Sequence, residues 1–378
     1  MTEIPDTWCP IALPHVETAD GEILFMGRRI TGSGRTAGED AGLLARCDGA
    51  RPLTAFPAAD RAVLDGWLRD GVVVMAPAPA RAAPGTAAAP EAPEPPRPAG
   101  TPETPEASGG PGATAAPGTP DPSGGPAIPG TPVIVSPHPD DAALAVGGTV
   151  AREGGRFLDV FSEETWTKDP YYAERPAQTR RLLLAEETVA ARVLGAEVEL
   201  LGFTDAADRE LRRDRFFADK PWSDGFAREE PELFEAVTER LAPLLAGTAP
   251  VYAPLGVGGH VDHLACRDAV VALARTGRID PGRLRFYEDQ PYSLFSSAEE
   301  TARRLGPWLE LAGLGPLDPE LRPVDGTAAL AKREALKAYR IQVRRGIIHR
   351  IGRHDMHLAS QSSQSGSPAA ERLWRLRG

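Results

Sequence analysis

Over the C-terminal part of the chain, short apolar runs alternate with longer stretches of helical periodicity. Candidate strands lie at 133–136, Phe157 to Phe161, Glu197 to Leu201, Val251 to Ala253 and Arg285 to Tyr287, with helical patterns between them at 141–153, 176–194, 231–246 and 262–275. That rhythm predicts an α/β fold with right-handed crossovers, a mainly parallel sheet with helices on its faces, and ligands at the carboxyl ends of the strands. Upstream, a hairpin pattern around Gly21 to Met26 precedes helical patterns. The second of these, Asp60 to Leu68, runs into Gly71 and the strand-like Val72-Val73-Val74. Residues 1–76 therefore read as a small α+β module.

Composition divides the chain further. From 77 to 131 it is Ala, Pro, Gly, Thr and Glu with almost no large apolar side chains. Including Pro132, 17 of the 38 prolines fall there. Such a segment buries too little surface to offset its ordering entropy, so it is expected to be a disordered linker between the module and a domain spanning 132–378. The net charge of −11 argues against a nucleic-acid track. The three cysteines, widely spaced and without a C-x-x-C pair, suggest neither a disulfide framework nor a thiolate metal site. No signal core and no bilayer-length apolar segment is visible. The expected setting is soluble and cytoplasmic, without a membrane.

The chemistry gathers at two points. Pro137-His138-Pro139-Asp140-Asp141 follows the first strand of the domain, and His260-Val261-Asp262-His263 follows the fourth. His138 and Asp141, three apart where a helix begins, project to one side. With His263 they would supply two imidazoles and a carboxylate to Zn2+ and leave a coordination position for water. Asp140, aimed elsewhere, would be the general base. His260 would donate toward the oxyanion or the leaving amine, with Asp262 fixing an imidazole tautomer. The helix start is expected to favour the neutral form of both His260 and His263. His354-Asp355-Met356-His357 has the same spacing but no strand before it, and is read as surface loop. His15 and His349 are read as ordinary structural or surface histidines.

At these residues the chain resembles the GlcNAc-phosphatidylinositol de-N-acetylase family (PIG-L, or LmbE-like). The resemblance lies in Val133 to Asp141, in Gly258-Gly259-His260-Val261-Asp262-His263, and in Glu186-Glu187 with Leu194-Gly195. Tyr287 to Tyr292 and Glu371-Arg372-Leu373-Trp374 are also similar to family segments. It implies a Rossmann-like fold, zinc, and removal of acyl groups from amino sugars and related amines. It also implies ligand roles for His138, Asp141 and His263, Asp140 as base, and His260 steadying the tetrahedral intermediate. Ala142 departs from the acid that often follows the second Asp, which bears on substrate choice. The N-terminal module resembles small winged-helix domains of the PqqD type, which implies docking to a protein or peptide.

The expected substrate is a small acetylated amino sugar or its conjugate. Trp166, Tyr171, Tyr172, Phe216, Phe217 and Trp222 are candidates for apolar walls. Glu288 and Asp289 are candidates to accept sugar hydroxyls. Two competing readings stand beside the deacetylase: a metal-dependent phosphoesterase, and a non-catalytic sugar-binding protein.

Overall fold

A computed structural model describes residues 4–19, 22–26, 28–30, 35–78, 130–209, 216–218, 229–361 and 366–377. The predicted linker, apart from its ends, and Trp222 lie outside the described residues. The N-terminal stretch contains β1 (Cys9–Ala12), β2 (Val16–Ala19), β3 (Glu22–Phe25), β4 (Arg28–Arg29), α1 (Ala37–Arg46), α2 (Ala58–Asp70) and β5 (Val73–Ala76). The β2 and β3 strands form the expected hairpin, extended by β4, while β1 and β5 pair antiparallel. Gly71, at φ +74°, turns the chain out of α2 in the left-handed conformation that glycine takes without a Cβ clash.

The remainder runs β6 (Val133–Ser136), α3 (Asp141–Glu153), β7 (Gly155–Asp159), α4 (Pro170–Ala173), α5 (Pro176–Leu194), β8 (Ala196–Leu200), α6 (Pro231–Leu244), β9 (Val251–Pro254), α7 (Val261–Arg275), β10 (Leu284–Tyr287), α8 (Ala298–Leu311), β11 (Leu317–Val324), α9 (Gly326–Leu336), α10 (Arg345–Gln361) and β12 (Ala369–Leu376). Its seven-stranded sheet has the order β11-β12-β10-β9-β6-β7-β8. The five strands from β10 to β8 are parallel, and β12 and β11 add an antiparallel edge. Alternation along the strands divides the core by face: Ile134 and Phe157 join one apolar cluster, and Val133, Val135 and Leu158 the other. The strand order reverses between β6 and β9. In open α/β sheets the crevice at such a reversal is where ligands bind, and both polar motifs follow these two strands.

Two expectations change here. The N-terminal stretch is not a separately cored module: Leu43, Leu64, Trp67, Val73 and Val74 share one apolar cluster with Ala142 to Val146, Ala190, Leu194, Leu336 and Tyr339, and the two stretches form one compact unit. Its apolar positions thus cover the face of the sheet domain rather than a private core. His354 to His357 lie within α10, not in a loop, with Asp355 buried and 2.9 Å from Lys332 Nζ. Lys332 Nζ is also 2.7 Å from Glu371, whose carboxylate accepts the Gly148 and Thr149 N–H groups at 2.8 and 2.7 Å. Those amides lie just beyond Val146, where α3 leaves helical geometry.

Candidate metal and catalytic site

Where β6 gives way to α3, Ser136 meets the needs of the helix start. Its hydroxyl accepts from the Ala142 N–H at 3.1 Å and donates to the His138 carbonyl at 2.8 Å. Asp140 is thereby relieved of the capping role its position would suggest. Its side chain makes no capping hydrogen bond, and its backbone sits at φ +113°. Such a conformation in a non-glycine residue costs about 1–3 kcal/mol and clusters at functional sites. Asp141 Oδ2 accepts the His138 N–H at 3.0 Å and lies 3.0 Å from His138 Nδ1.

The loop after β9 delivers the second half. Gly258, at φ +85°, leaves no room for a Cβ, which would meet the Tyr292 side chain at 2.9 Å, so the ring packs directly on the loop. Asp289 accepts the Gly256 and Val257 N–H groups at 2.8 and 2.9 Å with one oxygen, and its other lies 2.6 Å from His263 Nδ1. That contact orients the imidazole. His263 Nε2 then stands buried, 3.2 Å from Asp141 Oδ2. A ring nitrogen of His260 also lies within 4.8 Å of one each from His138 and His263. Two buried imidazoles with a carboxylate oxygen near both fit a divalent metal ion.

The charges of this pocket are strongly coupled. Burial pushes Asp141 up, but the His263 and His138 imidazoles outweigh it and hold the carboxyl well below the usual range. Burial raises Asp140, and the neighbouring Asp141 adds to the rise. For His263, burial favours the neutral ring, yet Asp141 and Asp289 pull the pKa up to about 9. For His260, burial and the two other imidazoles press it down to about 3. The helix start therefore does not set both histidines alike: the carboxylates beside His263 favour its charged form, while burial and the other imidazoles favour the neutral form of His260.

Not every expected residue falls where expected. Glu288 turns away from a substrate role: it takes the Arg372 guanidinium and the Trp374 indole N–H, the latter at 3.2 Å. Asp289 is likewise no sugar acceptor, because its oxygens are spent on backbone amides and His263. Asp262 accepts the Ala206 N–H at 2.9 Å, pairs with Arg209 at 2.8 Å and stands 3.1 Å from His138 Nε2. Trp166 is 46% exposed, with Lys168 Nζ 5.3 Å from its ring centroid. Tyr172 is buried in the core beside Leu182 and Leu183. Phe217, 49% exposed, is placed at the site, its ring 5.3 Å from His260 and 6.0 Å from Tyr292. Sequence reasoning missed Asp205, whose carboxylate lies 2.8 Å from His138 Nε2. Its one signal was an acid shortly after the strand at 196–200.

The family model described as PIG-L, GlcNAc-PI de-N-acetylase, matches residues 133–274. The 2'-N-acetylparomamine deacetylase of Streptomyces fradiae is 30% identical over 259 residues, 65% of this chain and 89% of that protein. This chain belongs to the PIG-L family. As a PIG-L protein it is an N-deacetylase, a hydrolase of amide C–N bonds. Solved structures with a similar fold include the A40926 pseudoaglycone deacetylase Dbv21, with 24% identity, a TM-score of 0.47, and coverage of 66% of this chain and 97% of that one. The N,N'-diacetylchitobiose deacetylase of Pyrococcus horikoshii has 17% identity, a TM-score of 0.39, and coverage of 66% and 84%. Among the described residues, no helix is long and apolar enough to cross a membrane.

Proposed function

We propose that this chain is a cytoplasmic, zinc-dependent enzyme that hydrolyses the acetamide of an N-acetylated amino sugar on a natural-product scaffold. The observation that carries this reading is the approach of Asp141 to both His138 and His263, from two remote loops, with Asp140 next to it in the chain and making no capping hydrogen bond. The S. fradiae relative, named for an N-acetylated aminoglycoside fragment, supports the substrate class.

When bound, zinc supplies Lewis acidity and lowers the pKa of water. His138, Asp141 and His263 would hold it, with Asp289 fixing the His263 ring. Asp140 takes a proton from the water that attacks the acetyl carbonyl, and returns it to the nitrogen as the C–N bond breaks. One water is consumed, and acetate and a primary amine leave. His260, kept neutral by burial and its imidazole neighbours, donates an N–H to the developing oxyanion. Phe217, exposed beside His260, offers a face to the sugar ring.

The test is incubation of the zinc-loaded protein with N-acetylglucosaminides and N-acetylated aminoglycosides, following acetate and new amine together. Equal release of both from at least one of them is expected. Absence of acetate across the panel, with cleavage of phosphate diesters instead, would contradict the reading.

A further inference from the structure

We infer that the open cavity between the N-terminal stretch and α4 is a binding site for a phosphate monoester, separate from the metal site. Its volume is about 740 Å³, within the range of small-molecule sites. None of the residues assigned above to the metal or to catalysis lines it. Arg28 and Arg29 of β4, Arg69 of α2 and Arg340 do. Arg29 also pairs with Glu22 at 3.0 Å, but among the described residues Arg28, Arg69 and Arg340 pair with no carboxylate. The acids in the lining, Asp70 and Asp169, do not neutralise them. Asp169 caps α4, accepting the Tyr171 N–H at 2.9 Å, and Asp70 makes no ion pair among the described residues. In a chain of net charge −11, this cavity is lined by four guanidinium groups and two carboxylates.

The geometry around Arg340 selects the anion. Its guanidinium lies 5.5 Å from the Phe25 ring centroid, and its Nε is buried without a hydrogen-bond partner. A Cβ at Gly71 would meet Arg340 Nη1 at 2.9 Å and Arg345 Nη2 at 3.2 Å, so two cations crowd one glycine. Arg345 Nη2 donates to the Asp70 carbonyl at 3.0 Å, a neutral acceptor that leaves its charge uncompensated. Burial, with Arg345 adding to it, disfavours the charged form of Arg340. An anion placed here relieves both cations at once. A phosphate monoester carries about −1.5 to −2 in one group at neutral pH, against the single charge of a carboxylate, and its oxygens accept guanidinium N–H groups in pairs. Ile30, Val63 and Trp67 supply an apolar wall for the organic part.

The experiment titrates the full-length, zinc-loaded chain with phenyl phosphate by calorimetry at about pH 8, where the monoester is a dianion, with benzoate and a short glutamate-rich peptide as comparisons. Saturable binding of one phenyl phosphate per chain is expected, at least about 10-fold tighter than benzoate, with a raised thermal midpoint. Arg340→Gln, and separately the double substitution Arg28→Gln with Arg69→Gln, are each expected to weaken it about 10-fold or more. Arg28 and Arg69 are exposed, so the double variant decides if Arg340→Gln fails to fold. Binding that either folded variant leaves unchanged puts the phosphate elsewhere, the metal included, and overturns the inference, as does a titration without saturation. Benzoate binding as tightly as phenyl phosphate, or the peptide binding more tightly, overturns the phosphate assignment.

Discussion

Two histidine pairs three residues apart occur in this chain, His260 with His263 and His354 with His357, and both stand at or within helices. The first pair begins α7 at the carboxyl end of β9, next to β6 at the point where strand order reverses. The second lies mid-way along α10. Helical spacing brings each pair to one face, but the first meets both an imidazole and a carboxylate, His138 and Asp141, from another strand end. The acids between them diverge as well: Asp262 stands beside His138 and Arg209, while Asp355 is buried against Lys332. His354 lies 3.4 Å from Glu288, already engaged by Arg372. His357 is exposed, 2.9 Å from Gln361. Spacing sets a direction, and the backbone's place in the sheet decides what lies in that direction.

The comparison can be sharpened by substitutions. The largest effect on turnover among metal-retaining variants is expected from Asp140→Asn, about 10²- to 10⁴-fold in kcat, with one bound metal ion kept. Retention of near-normal kcat would remove Asp140 as base. His260→Ala takes away one oxyanion donor and is expected to cost about 10²- to 10³-fold in kcat. An effect confined to KM would contradict that role. Asp289→Ala frees the His263 ring and is expected to weaken metal affinity about 10- to 100-fold, measured by competition with a chelator. Unchanged affinity would mean the ring is oriented by something else. At the small end, His357→Ala is expected to leave kcat/KM within about twofold, and a larger loss would make the two pairs functionally alike.

Much of this was legible in the sequence because parallel strands buried on both faces read as continuous apolar runs: Val133 to Val135 and Val251 to Ala253 announce β6 and β9, and the motifs follow directly. What escaped has physical reasons. β11 contains Pro319 and Pro323 and many polar residues, and is tolerated as a strand because it lies at the sheet edge. The helical character of α10 was present in the spacing of Ile347, Ile351 and Leu358, but the charged surroundings obscured it. Asp205 has no local motif, and the role of Asp289 is set by His263, a partner from a loop distant in sequence. Nor does the periodicity of 58–76 say whether its apolar face closes on itself or, as here, on α5 and α9.

The most direct measurement is the metal content of wild-type protein and His263→Ala after zinc loading and dialysis. The account predicts one ion per chain in the first and none in the second, although residues 138–141 are unaltered. A full equivalent of zinc retained by His263→Ala, or none held by the wild type, would contradict it.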